Sequence, residues 1–262
     1  MKIFALGDPH LSLGMEGKDM DKFGEQWLNH PDKIKAACDA AVSEEDLLLI
    51  PGDLSWGLRM EAAQPDLDFL GSLPGEKVII RGNHDYWWSG IGKVRAALPD
   101  RMHALQADAI DINGIHLCGT RLWDVPDKKF GHLIDWKDHD TGAAISAPAR
   151  SEEEIAQSLK IYRREVGRVD LALQAMAKLP GEARLKIVMI HYPPTDAELT
   201  ENELTQRFET AGIDHVIFGH LHSVKRNLDP APFGERNGVH YHLTACDYLD
   251  FEPKEIVSRS AS

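Results

Sequence analysis

The chain has 262 residues, 43% hydrophobic and 27% charged, enough for one large domain or two small ones. A core of that size folds without a disulfide or metal staple, so metal ligands in it serve chemistry rather than stability. The formal net charge of −13 argues against general affinity for nucleic acid or anionic membrane, but leaves an anionic substrate open because bound divalent cations reverse the local field.

In chain order, β-branched content and Gly punctuation predict strands at 2–6, 47–50, 77–80, 110–112, 115–118, 185–190, 215–218 and 239–243. The unbroken apolar character of the first three and of 185–190 predicts burial on both faces. Asn113-Gly114 between two of them is a hairpin signal. Helices are predicted at 32–42, with Ile34, Ala37, Cys38 and Ala41 on one face, and at 61–70, 91–98, 151–179 and 203–211. Ser151 and Glu154 form a capping box for the fourth, and Gly212 stops the fifth. Strand–helix alternation followed by hairpins gives an α/β layered architecture. With no repeat and no linker, a single domain over 1–262 is expected, carrying an irregular lid-like insertion at about 120–150. Residues 258–262 are expected to fray.

Cys38, Cys118 and Cys246 are odd in number and far apart, as expected of free thiols in a reducing compartment. The first apolar run is too short for a signal segment and Asp8 interrupts it; no stretch approaches a membrane span. A cytoplasmic protein without membrane contact is expected.

Five apolar runs each end on a residue able to ligate metal. Residues 2–7 run into Asp8-Pro9-His10, 47–52 into Asp53, 78–82 into Asn83-His84-Asp85, 187–190 into His191, and 216–219 into His220-Leu221-His222. Strands side by side would deliver these to one sheet edge, where open α/β sheets bind ligands. Asp8 with His10, and His220 with His222, are spaced i, i+2, which share a face of extended chain. Asp53 follows Gly52, which permits a sharp turn, and its two oxygens can bridge two cations. Carboxylate, amide and imidazole without thiolate suit Mn, Fe or Zn.

In this order, Gly7-Asp8-Pro9-His10, Gly52-Asp53, Gly82-Asn83-His84-Asp85, His191 and Gly219-His220-Leu221-His222 resemble the calcineurin-like metallophosphoesterase superfamily. All five blocks are present, over residues 7–222. The resemblance implies a four-layer αββα sandwich, two packed mixed β-sheets flanked by helices, with two divalent metal ions between the sheet edges. It implies that Asp8, His10, Asp53 and His222 bind one ion, and Asp53, Asn83, His191 and His220 the other. It implies hydrolysis of phosphate esters by in-line attack of a hydroxide held between the metals. His84 would then stand at the leaving oxygen, with Asp85 orienting its imidazole.

The second block lacks the Asp-Arg-Gly extension of the Ser/Thr protein phosphatases, and Asp85 stands where those enzymes usually carry Glu. The layout looks more like phosphodiesterase-type bacterial and archaeal members. The expected substrate is a phosphodiester, as a phosphate-ester small molecule or nucleotide. A nuclease or a phosphomonoesterase on the same site is the alternative, and nucleic acid is disfavoured by the charge. A non-catalytic scaffold fits worst, since no block is degraded.

Weaker features remain. Arg121 is a candidate phosphate clamp, whereas Arg81 reads as a strand-edge residue. Trp56 is a candidate substrate wall beside the second block, and Trp123 and Trp136 lie in the expected lid. His132, Asp135, Asp138, His139 and Asp140 read as a solvated acidic loop rather than a second metal cluster.

Overall fold

The computed structural model describes residues 1–125, 130–136, 151–226 and 228–258. In chain order the elements begin with β1 (Ile3–Ala5), α1 (His30–Ala41), β2 (Leu47–Ile50), α2 (Met60–Gly71), β3 (Glu76–Ile80), α3 (Ile91–Ala97) and β4 (Met102–Leu105). There follow β5 (Asp108–Ile112), β6 (Ile115–Thr120), α4 (Glu152–Met176), β7 (Leu185–Ile190), α5 (Glu203–Ala211), β8 (His215–Phe218), β9 (Gly234–Arg236), β10 (Val239–Leu243) and β11 (Lys254–Val257). They group into two compact units, 1–106 with 244–262, and 107–243.

The first unit holds a five-stranded sheet in the order β11-β1-β2-β3-β4, parallel except for β11. Every residue of β1 and β2 is buried, as their unbroken apolar runs predict. Phe4, Leu48, Ile50 and Ile79 share one core with Ile34 and Cys38 of α1, Leu67 and Leu70 of α2 and Val94 of α3. Helix α1 starts two residues earlier than expected because Pro31 falls in its first turn, where its fixed φ helps and its missing N–H costs nothing.

The second unit holds a six-stranded sheet in the order β5-β6-β7-β8-β10-β9, with antiparallel strands at both edges. The β5–β6 turn has positive φ at both Asn113 and Gly114, the geometry that the Asn-Gly pair predicts. Helix α4 opens on the expected capping box: Glu154 N donates to Ser151 Oγ and Ser151 N donates to Glu154 Oε2. It buries Tyr162, Val166, Val169, Ala172 and Met176 along one stripe and ends short of the predicted 179, because Pro180 disfavours helical backbone before it. Helix α5 stops at Gly212 with φ 63°.

The α/β class with two mixed sheets flanked by helices agrees with expectation, but one detail does not. The strands carrying the ligand blocks do not share a sheet: β1, β2 and β3 lie in the first, β7 and β8 in the second. Apolar patterning identifies a strand without saying which sheet it joins. The sequence also misses β4, β9 and β11, all of them edge strands, which need no continuous apolar run. Much of the expected lid (126–129 and 137–150, with Asp138, His139 and Asp140) and the terminal 259–262 lie outside the described residues. Among the described residues no helix is long and apolar enough to cross a membrane.

Candidate metal centre

In the first unit the ligand residues sit in turns rather than on extended chain. Asp8, His10 and Asp53 have φ of 55°, 44° and 52°. Non-Gly residues adopt that left-handed conformation only when their surroundings fix it, and such strain concentrates at functional sites. The expected extended i, i+2 geometry of Asp8 and His10 is therefore replaced by a turn just beyond β1. The turn still works: side-chain ligand atoms of Asp8 come within 4.8 Å of those of both His10 and Asp53. His10 Nε2 is 3.6 Å from Asp53 Oδ2.

The surroundings that hold this turn are identifiable. His10 N donates to Asp53 O at 3.0 Å and Asp8 N to Gly52 O at 3.1 Å, so the two loops are laced side by side. The Cys246 thiol donates to Asp8 O, and the buried His30 ring bonds Pro9 O at 3.0 Å and Trp27 O at 3.1 Å. Gly7 packs on Pro51, whose ring would lie 2.8 Å from any Cβ at position 7.

Asp85 ties the second and third blocks together. Its Oδ1 accepts from Leu54 N, Ser55 N and Trp87 Nε1, and its Oδ2 accepts from Gly82 N at 2.7 Å. Those four donors occupy the carboxylate, and the His84 imidazole is not among them. Asp85 thus braces the loops, a different role from the expected orienting of His84. Burial, and then the neighbouring Asp53 charge, push its carboxyl upward in pKa. His84 N donates to Asp53 Oδ1 at 2.7 Å. At position 82 a Cβ would lie 2.1 Å from that same oxygen, so only glycine lets the third block pass the Asp53 carboxylate.

Half-buried His84 stands with its ring 4.5 Å from Trp56 and 5.5 Å from His10. Trp56 also stacks on His10 at 5.1 Å and 24°, so one indole contacts both imidazoles. Asn83 is half-buried between Gly82 and His84.

In the second unit, His191 is fully buried just past β7, and His220, with φ 71°, follows β8. Their rings meet edge-on at 5.2 Å. Half-buried His222 comes two residues later. Main-chain bonds order these loops: His191 N donates to Arg121 O at 2.9 Å and Gly219 N to His191 O at 3.1 Å. The Arg121 guanidinium lies 3.6 Å from the wholly buried Glu165 and 4.9 Å from the Trp123 ring. That geometry favours a strut over a phosphate clamp.

Two neighbours of His220 escaped the sequence reading. Tyr192 lies 4.0 Å away ring to ring, and Asp124 Oδ1 is 3.9 Å from His220 Nε2. Tyr192 directly follows His191, which was the available signal; Asp124 lies in the irregular stretch after β6, where nothing marks it. Trp123 is fixed by Ser158 Oγ at 3.0 Å, while His132 sits 3.7 Å from Glu198, as an exposed loop residue would.

The donor set fits divalent cations. Two buried carboxylates, Asp8 and Asp53, stand close together with an imidazole nitrogen beside them. Like charges this near oppose joint ionisation, and a divalent cation relieves that cost.

Comparison with known proteins agrees. The calcineurin-like phosphoesterase family matches residues 1–224. No curated protein matches the chain. Among solved structures, the calcineurin-like phosphoesterase YfkN from Bacillus subtilis is 14% identical, covering 98% of this chain and 88% of its own, with TM-score 0.49. TT1561 of Thermus thermophilus is 15% identical, covering 83% and 80%, with TM-score 0.45. AQ665 from Aquifex aeolicus, a protein of unknown function, is 13% identical, covering 96% and 94%, with TM-score 0.43. Likeness of that degree carries no weight here, whereas the family match spans most of the sequence and contains all five ligand blocks. The chain belongs to the calcineurin-like phosphoesterase family and is a metal-dependent phosphoric ester hydrolase.

Proposed function

We propose that the protein hydrolyses phosphodiesters of small molecules or nucleotides, using two divalent cations. Asp8, His10, Asp53 and His222 would hold one, and Asp53, Asn83, His191 and His220 the other, with Asp53 shared. The observation that carries this is the close, buried pair of carboxylates at Asp8 and Asp53 beside His10. Oxygen and nitrogen donors without thiolate favour Mn, Fe or Zn. When bound, such ions supply Lewis acidity toward phosphoryl oxygens and a nucleophile at neutral pH.

The chain's own residues supply the rest. His84 is tethered through its backbone to Asp53, and its half-buried ring would stabilise or protonate the departing oxygen. Asp85 holds the second and third blocks in register. Trp56 fixes the His10 and His84 rings and offers a flat wall to an organic group on the phosphate. The missing Asp-Arg-Gly extension favours diesters over phosphoprotein substrates, and the charge of −13 disfavours a nuclease. We read residues 1–262 as one working domain, since the family match runs through both compact units. The buried free thiols at Cys38, Cys118 and Cys246 suit a cytoplasmic protein.

The test is to measure bound metals, then compare hydrolysis of a phosphodiester and a phosphomonoester with and without Mn²⁺. Faster diester turnover that needs the metal supports the proposal; monoester preference overturns the substrate assignment. His84→Ala should lower turnover by about 10²–10³-fold with both metals retained. Loss of metal in that variant would make His84 a ligand instead.

A further inference from the structure

A histidine ligand works only when its ring plane aims the right nitrogen at the cation, and the torsion that sets this plane is broad and nearly two-fold. The main-chain bonds that order the loops of His191 and His220 fix where each side chain starts, not how its ring is turned. Tyr192 meets both rings. Its centroid lies 4.0 Å from that of His220 at 41°, and 5.3 Å from that of His191 at 89°. One phenol ring thus contacts both imidazoles, which meet each other at 5.2 Å and 69°.

Tyr192 is itself held on several sides. It is 4% exposed. Its N–H donates to Arg121 O at 3.3 Å, beside the bond from His191 N to the same oxygen. Its ring lies against Trp123 at 5.1 Å and 42°. Trp123 in turn donates from Nε1 to Ser158 Oγ of α4 at 3.0 Å, and the Arg121 guanidinium lies 4.9 Å from its ring. A ladder therefore runs from α4 through Trp123 and Tyr192 to two ligand rings, all within 107–243. In the other unit Trp56 makes the same double contact, with His10 and His84. A flexible apolar side chain could fill such a space, but only a rigid ring passes on an orientation.

We propose that Tyr192, backed by Trp123, is a positioning residue of the metal centre: its ring sets the planes of His191 and His220, and so the tightness with which they hold their shared cation. The inference rests on the two-cation reading above, in which these two histidines serve the same ion. Ligands need their geometry fixed in advance, and partners that orient a ligating histidine tune its affinity for metal.

The test titrates Zn²⁺ into chelator-stripped full-length protein against a chromophoric competitor. Wild type should show two tight ions. Tyr192→Met, which keeps apolar bulk without a plane, should weaken one of them by about 10–100-fold and leave the other within about threefold. Tyr192→Phe keeps the ring and should bind both ions as wild type does. With Co²⁺ in place of Zn²⁺, the visible band of the folded protein should shift in Tyr192→Met and not in Tyr192→Phe, a signature of altered ligand geometry rather than of lost stability. Trp123→Leu should weaken the same ion, and it decides the matter if Tyr192→Met does not fold. Wild-type affinity for both ions in Tyr192→Met, or in Trp123→Leu in its place, would overturn this inference alone, as would equal weakening of both ions. Fewer than two ions on wild type would overturn the two-cation reading itself, and this inference with it.

Discussion

In the unit built from 1–106 and 244–262, buried side chains reinforce the main-chain bonds that lace the ligand loops; in 107–243, the loops around His191 and His220 rest on main-chain bonds. Asp85 collects four donors from the second and third blocks, Cys246 braces Asp8, and His30 braces Pro9. Around His191 and His220 the work falls to main-chain bonds with Arg121 and Gly219, helped by the Tyr192 ring. The Asp85 carboxylate takes up the amides of Leu54, Ser55 and Gly82, which the main-chain pairing between the loops leaves over. Single side-chain changes should therefore damage the first set much more than the second.

Asp85→Asn is the severest way to break that contrast. An amide NH₂ would face one of the N–H donors that the carboxylate now accepts, at a cost of about 3–4 kcal/mol. A large fall in melting temperature with loss of bound metal is expected; a melting temperature within a degree or two of wild type would mean that the loops do not depend on Asp85.

Asp66 sharpens the comparison through pH. It accepts from Leu13 N at 2.7 Å and from the Ser55 hydroxyl, and burial raises its pKa from 3.8 to about 6. The folded protein then binds this proton more tightly than the unfolded chain. Its contribution is full below about pH 3.8 and is lost as pH rises through about 6, roughly 3 kcal/mol in all. Urea midpoints of Asp66→Asn should show a flatter slope than wild type between those two values.

Arg121→Ala probes the second unit. As a strut it leaves Glu165 with Arg164 and Arg168, so stability should drop by about 2 kcal/mol while KM stays within about twofold. A tenfold rise in KM without thermal change would restore Arg121 as a phosphate clamp. Ser151→Ala, which removes the α4 cap, should cost about 1 kcal/mol and leave hydrolysis untouched.

What the sequence revealed follows the same division. Buried central strands advertise themselves, and 47–50, 185–190, 215–218 and 239–243 match their observed bounds. Edge strands such as β9, with only Gly234–Arg236, carry no apolar run to read. The ligand residues could be named because each ends a core run at a glycine or a helix-poor turn. Their left-handed backbone, the bracing by Asp85 and His30, and the Asp124–His220 approach depend on partners tens of residues away or more, which local pattern does not encode.

Positive φ at Asp8, His10 and Asp53 has a consequence for engineering. The bend at each of them is paid for by hydrogen bonds beneath the loop, before any cation arrives. Transplanting the three ligands alone into another scaffold should yield a floppy chelator, whereas carrying over Asp85, Cys246, His30 and the bare backbone at Gly82 should transplant the readiness to bind as well.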